Sequence, residues 1–133
     1  MNNTSTIIYA VIDGRKILFT GDAGIPALTK AVDYANVTGV ELTDLTFFHV
    51  PHHGSRHNLG NKLLHRIKSQ VAYVSASKES PKHPSKRITN ALIKHGSRVY
   101  VTRGGHLLHH HNSPDRGWGP AKKEEFNERF EED

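Results

Sequence analysis

Three short polar segments of this chain combine residue types that can hold metal ions and activate water. Residues 20–23 contribute the carboxylate of Asp22, residues 49–55 contribute three imidazoles, and residues 75–84 contribute His83. A carboxylate can bridge two cations, and neutral imidazole is the most common ligand of borderline metals. Two metal ions about 3.5–4 Å apart can hold a hydroxide that attacks an ester or phosphoester. The combination points to hydrolytic metal chemistry.

Each segment alone also has a structural explanation. An Asp just before a helix often caps that helix, which contributes about 1 kcal/mol. Ser55 lies near two histidines, but the sequence contains no Gly-x-Ser-x-Gly motif to indicate a serine nucleophile. The metal interpretation depends on the three segments coming together.

Apolar periodicity predicts that each segment follows a strand, where α/β sheets tend to place their sites. Alternation of strands and helices after a first hairpin predicts an α/β layered fold with one domain over residues 1–133. A second hairpin is expected around residues 104–109, and an acidic terminal helix within residues 119–133, over about 120–130. The remaining strands are predicted over residues 6–12, 16–20, 45–50, 71–75 and 98–102, and helices over 25–36, 58–67 and 85–94.

The charge distribution, the apolar runs and the absence of cysteine limit the classes of function that the chain can have. The chain of 133 residues has a net charge of +5, but residues 122–133 contain six acids and three bases, so residues 1–121 carry +8. A basic body suits an anionic partner such as a nucleic acid. No apolar run approaches the roughly 20 residues of a membrane span, and the absence of cysteine excludes a thiol nucleophile and fits a cytoplasmic location. The parent protein could still be attached to a membrane.

The three segments resemble the metallo-β-lactamase superfamily in type and order. Residues 17–23 read Ile-Leu-Phe-Thr-Gly-Asp-Ala, residues 50–55 read Val-Pro-His-His-Gly-Ser, and residues 75–84 end in His-Pro. Over residues 2–105 the chain is most similar to the ComEC-like branch, the hydrolase domains of competence DNA-uptake proteins and their soluble relatives. The resemblance implies a four-layer α/β/β/α sandwich and a dinuclear metal hydrolase.

The chain departs from this superfamily in one respect. The signature His-x-His-x-Asp-His is missing from the sequence, and the run His109-His110-His111 does not reproduce it. The resemblance therefore covers only the C-terminal half of the fold, a mixed sheet with flanking helices. It implies a fragment of a larger hydrolase that lacks its N-terminal half, binds metal weakly and is inactive alone.

The resemblance assigns metal-site roles to four residues. Asp22 corresponds to the acid that bridges the two metals, and His83 to the late histidine that completes one of them. His52 and His53 correspond to a pair flanking the site, as metal ligands or with one as a proton donor, so Asp22 and His53 are the catalytic candidates. The sequence leaves open which of the two histidines faces the site.

Substrate and cofactor follow from the same resemblance. Ser55 and Arg56 are the substrate-binding candidates, and a phosphodiester, as in nucleic acid, is the favoured substrate. Zinc is the expected metal, with two ions in a complete site. Manganese is an open alternative because the available ligands are only nitrogen and oxygen.

Two other function classes remain open. One is a non-catalytic nucleic-acid-binding module in which Arg56, Lys62, Arg66 and Lys68 contact phosphates. The other is an interaction domain that dimerises through a bare sheet face rich in Ile, Val and Phe, which a half-sandwich exposes.

Overall fold

The computed structural model describes residues 4–129. Every strand predicted before residue 103 and every helix predicted before residue 95 is present, with ends that differ by at most three residues. A single 3-10 turn, His52–Gly54, follows the third strand. In chain order the elements are β1 (Ile8–Ile12), β2 (Arg15–Phe19), α1 (Ile25–Val37), β3 (Leu45–His49), α2 (Asn61–Arg66), β4 (Ser69–Val74), α3 (Lys86–Lys94) and β5 (Arg98–Val101).

The five strands form one mixed sheet in the order β1-β2-β3-β4-β5. The β1–β2 hairpin is antiparallel, with Ile8 opposite Phe19, and the other three pairings are parallel. The predicted α/β class is thus confirmed. Because β2 to β5 are parallel, the loops that leave their carboxyl ends meet at one edge of the sheet.

The three helices and alternate strand positions share one apolar core. Each helix connects two adjacent parallel strands, and right-handed crossovers place such helices on the same side of a sheet. Helix α1 contacts α2, and α2 contacts α3. The core includes Leu28, Val32 and Ala35 of α1, Leu63 and Leu64 of α2, Ile88 and Leu92 of α3, and Leu18, Phe48, Ala72, Val74, Val99 and Val101 of the strands.

The opposite side of the sheet, here called the open face, is aromatic and partly exposed. The rings of Phe19, Phe47, Tyr73 and Tyr100 form a row with successive centroid distances of 5.9, 5.0 and 5.2 Å. No helix lies on this side within residues 4–129. Phe19 is 43% exposed, so the open face is apolar surface that water still reaches.

The predicted second hairpin is wrong, because residues 105–111 form no strand. Residues 107–111, here called the strap, instead cross the open face. The His109 ring lies 5.4 Å from Phe47 and 6.0 Å from Tyr73, and Arg15 Nε donates a 3.0 Å hydrogen bond to His111 Nε2. A returning strand has no place on β5, because the amide of Glu124 already bonds to Val99 on that strand.

The predicted acidic helix is also wrong over residues 119–129, which are irregular and partly extended; residues 130–133 lie outside the described part. The Glu124 amide donates to the Val99 carbonyl over 2.7 Å. The side chain of Asn90, almost fully buried, bonds to both the amide and the carbonyl of Asn127. A short helix with little apolar surface is marginal, so these tertiary bonds determine the conformation.

None of the helices in the described part of the chain has the length and apolar character needed to cross a membrane.

Candidate functional site

The carboxyl edge of the sheet gathers three of the predicted histidines. His52 and His53 follow β3, and His83 precedes α3. The ring centroids of His52 and His53 lie 6.0 Å apart, those of His52 and His83 also 6.0 Å, and those of His53 and His83 6.5 Å. Both members of the His52–His53 pair therefore belong to the cluster.

Asp22 lies at the same edge, in the loop after β2. Its side chain is exposed, and its negative charge acts on His49, the last residue of β3. The amide of His52 donates to the carbonyl of Gly21 over 3.1 Å. This bond joins the loop that carries Asp22 to the loop that carries the histidine pair.

An unusual backbone presents the two adjacent imidazoles. His52, His53 and Gly54 all have positive φ, at 45°, 55° and 74°. A Cβ on Gly54 would come within 2.8 Å of the Cβ of Pro84 and 3.1 Å of Val74 Cγ1. The Gly54 carbonyl accepts a bond from the Ser85 amide. The loops therefore approach each other closely only because residue 54 has no side chain.

Hydrogen bonds fix the tautomers of both exposed imidazoles. His53 Nδ1 lies 2.6 Å from the carbonyl oxygen of Ser75, and because a carbonyl only accepts, Nδ1 carries the proton. His52 Nδ1 lies 2.9 Å from Asn58 Oδ1. The Asn58 amide nitrogen donates to the carbonyls of Ala23 and Asp22, which orients its oxygen toward His52. These bonds engage Nδ1 of each ring and leave Nε2 as the nitrogen that faces outward, as in metal-ligating histidines.

Asn58 is a functional contribution that sequence reasoning misses. Its type and position predict a helix cap, but α2 begins after Gly60 and takes no side-chain cap. Asn58 is instead buried between the Asp22 loop and His52. Only the long-range fold brings these groups together.

Burial keeps two further imidazoles at this edge neutral. Burial lowers the pKa of His83, and the neighbouring His52 and His53 lower it further. Burial also lowers the pKa of His49, as does His53, while Asp22 partly opposes the change. The Nδ1 atoms of His49 and His83 are buried with no hydrogen-bond partner among the described residues. The family resemblance assigns no role to His49, which strand alternation puts on the same side of the sheet as Phe47.

The two predicted substrate-binding residues occupy different environments. Ser55 is buried, and its Oγ accepts a bond from the His57 amide, so this side chain holds the turn after the histidine pair. Arg56 is half-buried and its Nε contacts His57 Nε2 at 3.5 Å. Arg56 can meet a ligand at the surface, whereas Ser55 lies beneath it.

The histidine cluster does not by itself fit a metal ion. Zn–N bonds of about 2.0–2.1 Å and tetrahedral angles would hold two ring centroids about 5 Å apart on a shared ion. The observed separations of 6.0–6.5 Å are wider. Across residues 4–129, no group of three or more His, Cys, Asp or Glu side chains is arranged to hold one.

No family model, curated protein or solved structure compared with this chain matches it.

Proposed function

We propose that this chain is the C-terminal half of a ComEC-like metallo-β-lactamase-type hydrolase domain, acting on phosphodiester or other ester bonds in the full-length protein. The observation that carries the proposal is the pair of fixed tautomers. The Nδ1 atoms of His52 and His53 are each tied to an oxygen, which leaves both Nε2 lone pairs available beside His83. The carboxylate of Asp22 lies at the same sheet edge.

The open face supports the proposal that this chain is one half of a larger domain. In an α/β/β/α sandwich one face of each sheet packs on helices and the other packs on the second sheet. Here the helices cover one face, while the row from Phe19 to Tyr100 lines the other, of which the strap covers only the part around Phe47 and Tyr73. Such an aromatic face is suited to packing on a second sheet.

The described residues can accept and donate protons, but they do not form a complete metal centre. His53 Nε2 can accept a proton from water or, once charged, return one to a leaving oxygen. Burial and the neighbouring imidazoles lower the pKa of His83 and favour its neutral form. We propose zinc, or manganese, as the cofactor of the complete domain. Residues 4–129 alone lack the ligand arrangement to hold it tightly.

Calorimetric titration with zinc and with manganese tests the metal assignment. We expect weak binding to the wild type, reduced about tenfold or more in Asp22→Ala/His83→Ala. The matched control, His106→Ala/His110→Ala, removes two histidines elsewhere and should leave the affinity unchanged. Equal binding by the site variant and the wild type would overturn the assignment.

Turnover and binding assays on the full-length protein distinguish an enzyme from a non-catalytic binding module. As an enzyme it should lose turnover of a phosphodiester in Asp22→Ala and in His83→Ala, with the fold intact. A non-catalytic nucleic-acid-binding module would show no turnover in the wild type, and its salt-dependent binding would survive both substitutions. The second result would overturn the proposed activity.

A further inference from the structure

A pair of histidines lies at the edge of the sheet opposite the candidate site. His65 is in the last turn of α2, and His95 is the C-terminal cap of α3. Their ring centroids are 4.8 Å apart and the rings are nearly perpendicular, at 84°. The two helices lead into the parallel strands β4 and β5. The pair therefore lies at the amino ends of these strands, whereas His52, His53 and His83 lie at the carboxyl edge.

The separation of the two rings fits a shared metal ion. Two imidazoles on one ion have centroids about 4.5 Å apart at an N–metal–N angle of 90° and about 5 Å apart at a tetrahedral angle. The 4.8 Å between His65 and His95 lies between these values. His65 is exposed and His95 is half-buried, so an ion can enter from solvent and water can fill its remaining positions.

Hydrogen bonds hold the two turns that carry the pair. The Ser97 hydroxyl donates to the Ser69 carbonyl over 2.7 Å, and the two hydroxyl oxygens lie 3.2 Å apart, all of them buried. Helix α3 ends after His95, where Gly96 has a φ of +94° and the Ser97 amide donates to the Leu92 carbonyl. Because the backbone at both histidines is held before an ion binds, less conformational entropy is lost on binding.

The charges around the pair favour neutral imidazoles, which are the form that binds metals. Burial lowers the pKa of His95, and His65 and Lys68 lower it further. Arg66, next to His65, pairs with Asp33 on α1 over 2.7 Å, so this cation is held toward α1. The C-terminal end of α3 carries partial negative charge that favours a cation and opposes the repulsion from Lys68.

We propose that His65 and His95 form a second metal site, which binds one divalent transition-metal ion through one nitrogen of each ring. Two nitrogen ligands without a carboxylate favour copper, nickel and zinc over manganese and magnesium. Copper(II) has the highest affinity for such ligands among these ions and is therefore the probe of choice. The site goes beyond the proposed function, since it lies at the other end of the strands and uses none of the same residues.

Substoichiometric Cu²⁺, followed by NMR of the ¹⁵N-labelled full chain, tests the pair. The paramagnetic ion should broaden the amide signals of residues 64–68 and 94–98. His65→Ala and His95→Ala should each remove most of this local broadening, because a single imidazole binds about tenfold or more weakly than two held together. His106→Ala removes an exposed histidine elsewhere and should change nothing near the pair. Local broadening that is absent from the wild type, or that survives in both single variants, would overturn the proposal.

His95→Phe distinguishes metal binding from ring packing. A perpendicular ring contact can stabilise a fold without any ion, and phenylalanine keeps a ring that can pack on His65 but has no nitrogen. We expect His95→Phe to unfold in urea close to the wild type and to lose the local copper broadening as His95→Ala does. A copper response equal to that of the wild type would overturn the role of His95 as a ligand.

The variant Asp22→Ala/His83→Ala makes failure of this inference distinguishable from failure of the proposed function. It should keep the copper response of residues 64–68 and 94–98. A response that persists while the zinc and manganese titrations fail would support the pair and overturn the hydrolase assignment. A response that disappears in this variant, with circular dichroism showing an intact fold, would overturn the pair as a separate site.

Discussion

The Asn58 side chain joins the two loops of the candidate site. Its amide donates to the carbonyls of Ala23 and Asp22, and its oxygen faces His52 Nδ1. Truncation leaves these buried groups without a partner, which costs about 1–3 kcal/mol, and releases the His52 tautomer.

We therefore expect Asn58→Ala to lower the free energy of unfolding and to shift the ¹⁵N signals of the His52 ring toward a mixture of tautomers. Urea unfolding and NMR of ¹⁵N-labelled histidine measure the two effects. Asn61→Ala, at the exposed start of α2, is the control and should change neither. An unaltered His52 spectrum in Asn58→Ala would contradict the assigned bond.

Gly54 has two independent reasons to lack a side chain. Its φ is +74°, and an added Cβ would come within 2.8 Å of Pro84 and 3.1 Å of Val74. Gly54→Ala should destabilise the protein by about 2–4 kcal/mol, from left-handed strain and overpacking together.

Gly14→Ala provides the comparison for urea unfolding, since Gly14 has φ +72° but nothing within 4 Å of an added Cβ. Gly14→Ala should lower the free energy of unfolding only by the strain of a left-handed backbone, about 1–2 kcal/mol. Equal losses in the two variants would show that the loops do not pack closely at Gly54.

At the scale of elements, the strap on the open face should respond to pH. Partial desolvation against Phe47 and Tyr73 lowers the pKa of His109, although the residue is largely exposed, and the charges of Arg98, His110, His111 and Arg15 lower it further. The docked strap therefore favours neutral His109, while the free strap titrates near the ordinary pKa of about 6.5. Docking is strongest above that pH and weakens as the pH falls below it.

We expect the amide signals of residues 107–111 to move toward disordered values between about pH 7.5 and 5. His109→Phe keeps a ring that can pack on Phe47 and Tyr73 but cannot be protonated, so it should reduce this change. His106→Phe, at an exposed position, should not. A strap that undocks equally in all three proteins would exclude His109 as the cause.

The sequence predicts elements whose apolar residues recur at regular spacing. It does not predict segments whose conformation depends on hydrogen bonds to residues far away in the chain. Leu28, Val32 and Ala35 recur at helical spacing, so α1 was predicted nearly to the residue. Residues 119–129 also contain helix-forming acids, but Asn90, about 37 positions earlier, holds Asn127 in a non-helical conformation. Local periodicity carries no information about that bond.

The same distinction applies to the candidate site. Asp22 and the histidines were predicted to meet because parallel strands deliver their loops to one edge. The roles of Asn58 and Ser55 depend on which group each side chain contacts, at Ala23 and at His57 respectively. Neither contact follows from residue type or spacing.

At the scale of the whole molecule, the open face leaves apolar side chains exposed to water. Ile8, Ile12 and Phe19 are 51%, 59% and 43% exposed, beyond the part that the strap crosses. Contiguous exposed apolar surface promotes association, so the chain alone should self-associate at high concentration.

Phe19→Lys should shift sedimentation toward the monomer, because it places a charge within this apolar surface. Tyr34→Lys alters a more exposed aromatic residue, on α1, and should leave association unchanged. Monomeric wild-type protein at all concentrations would mean that the open face does not mediate self-association.

We propose that Asp22, His52, His53 and His83 contribute ligands to the metal site of the complete domain, and paramagnetic manganese tests this proposal most directly. Mn²⁺ broadens NMR signals near it even when it binds weakly, so titration locates the ion on the chain. We predict selective broadening of residues 21–23, 52–54 and 83. Broadening confined to residues 109–111, or spread evenly over the chain, would contradict the claim.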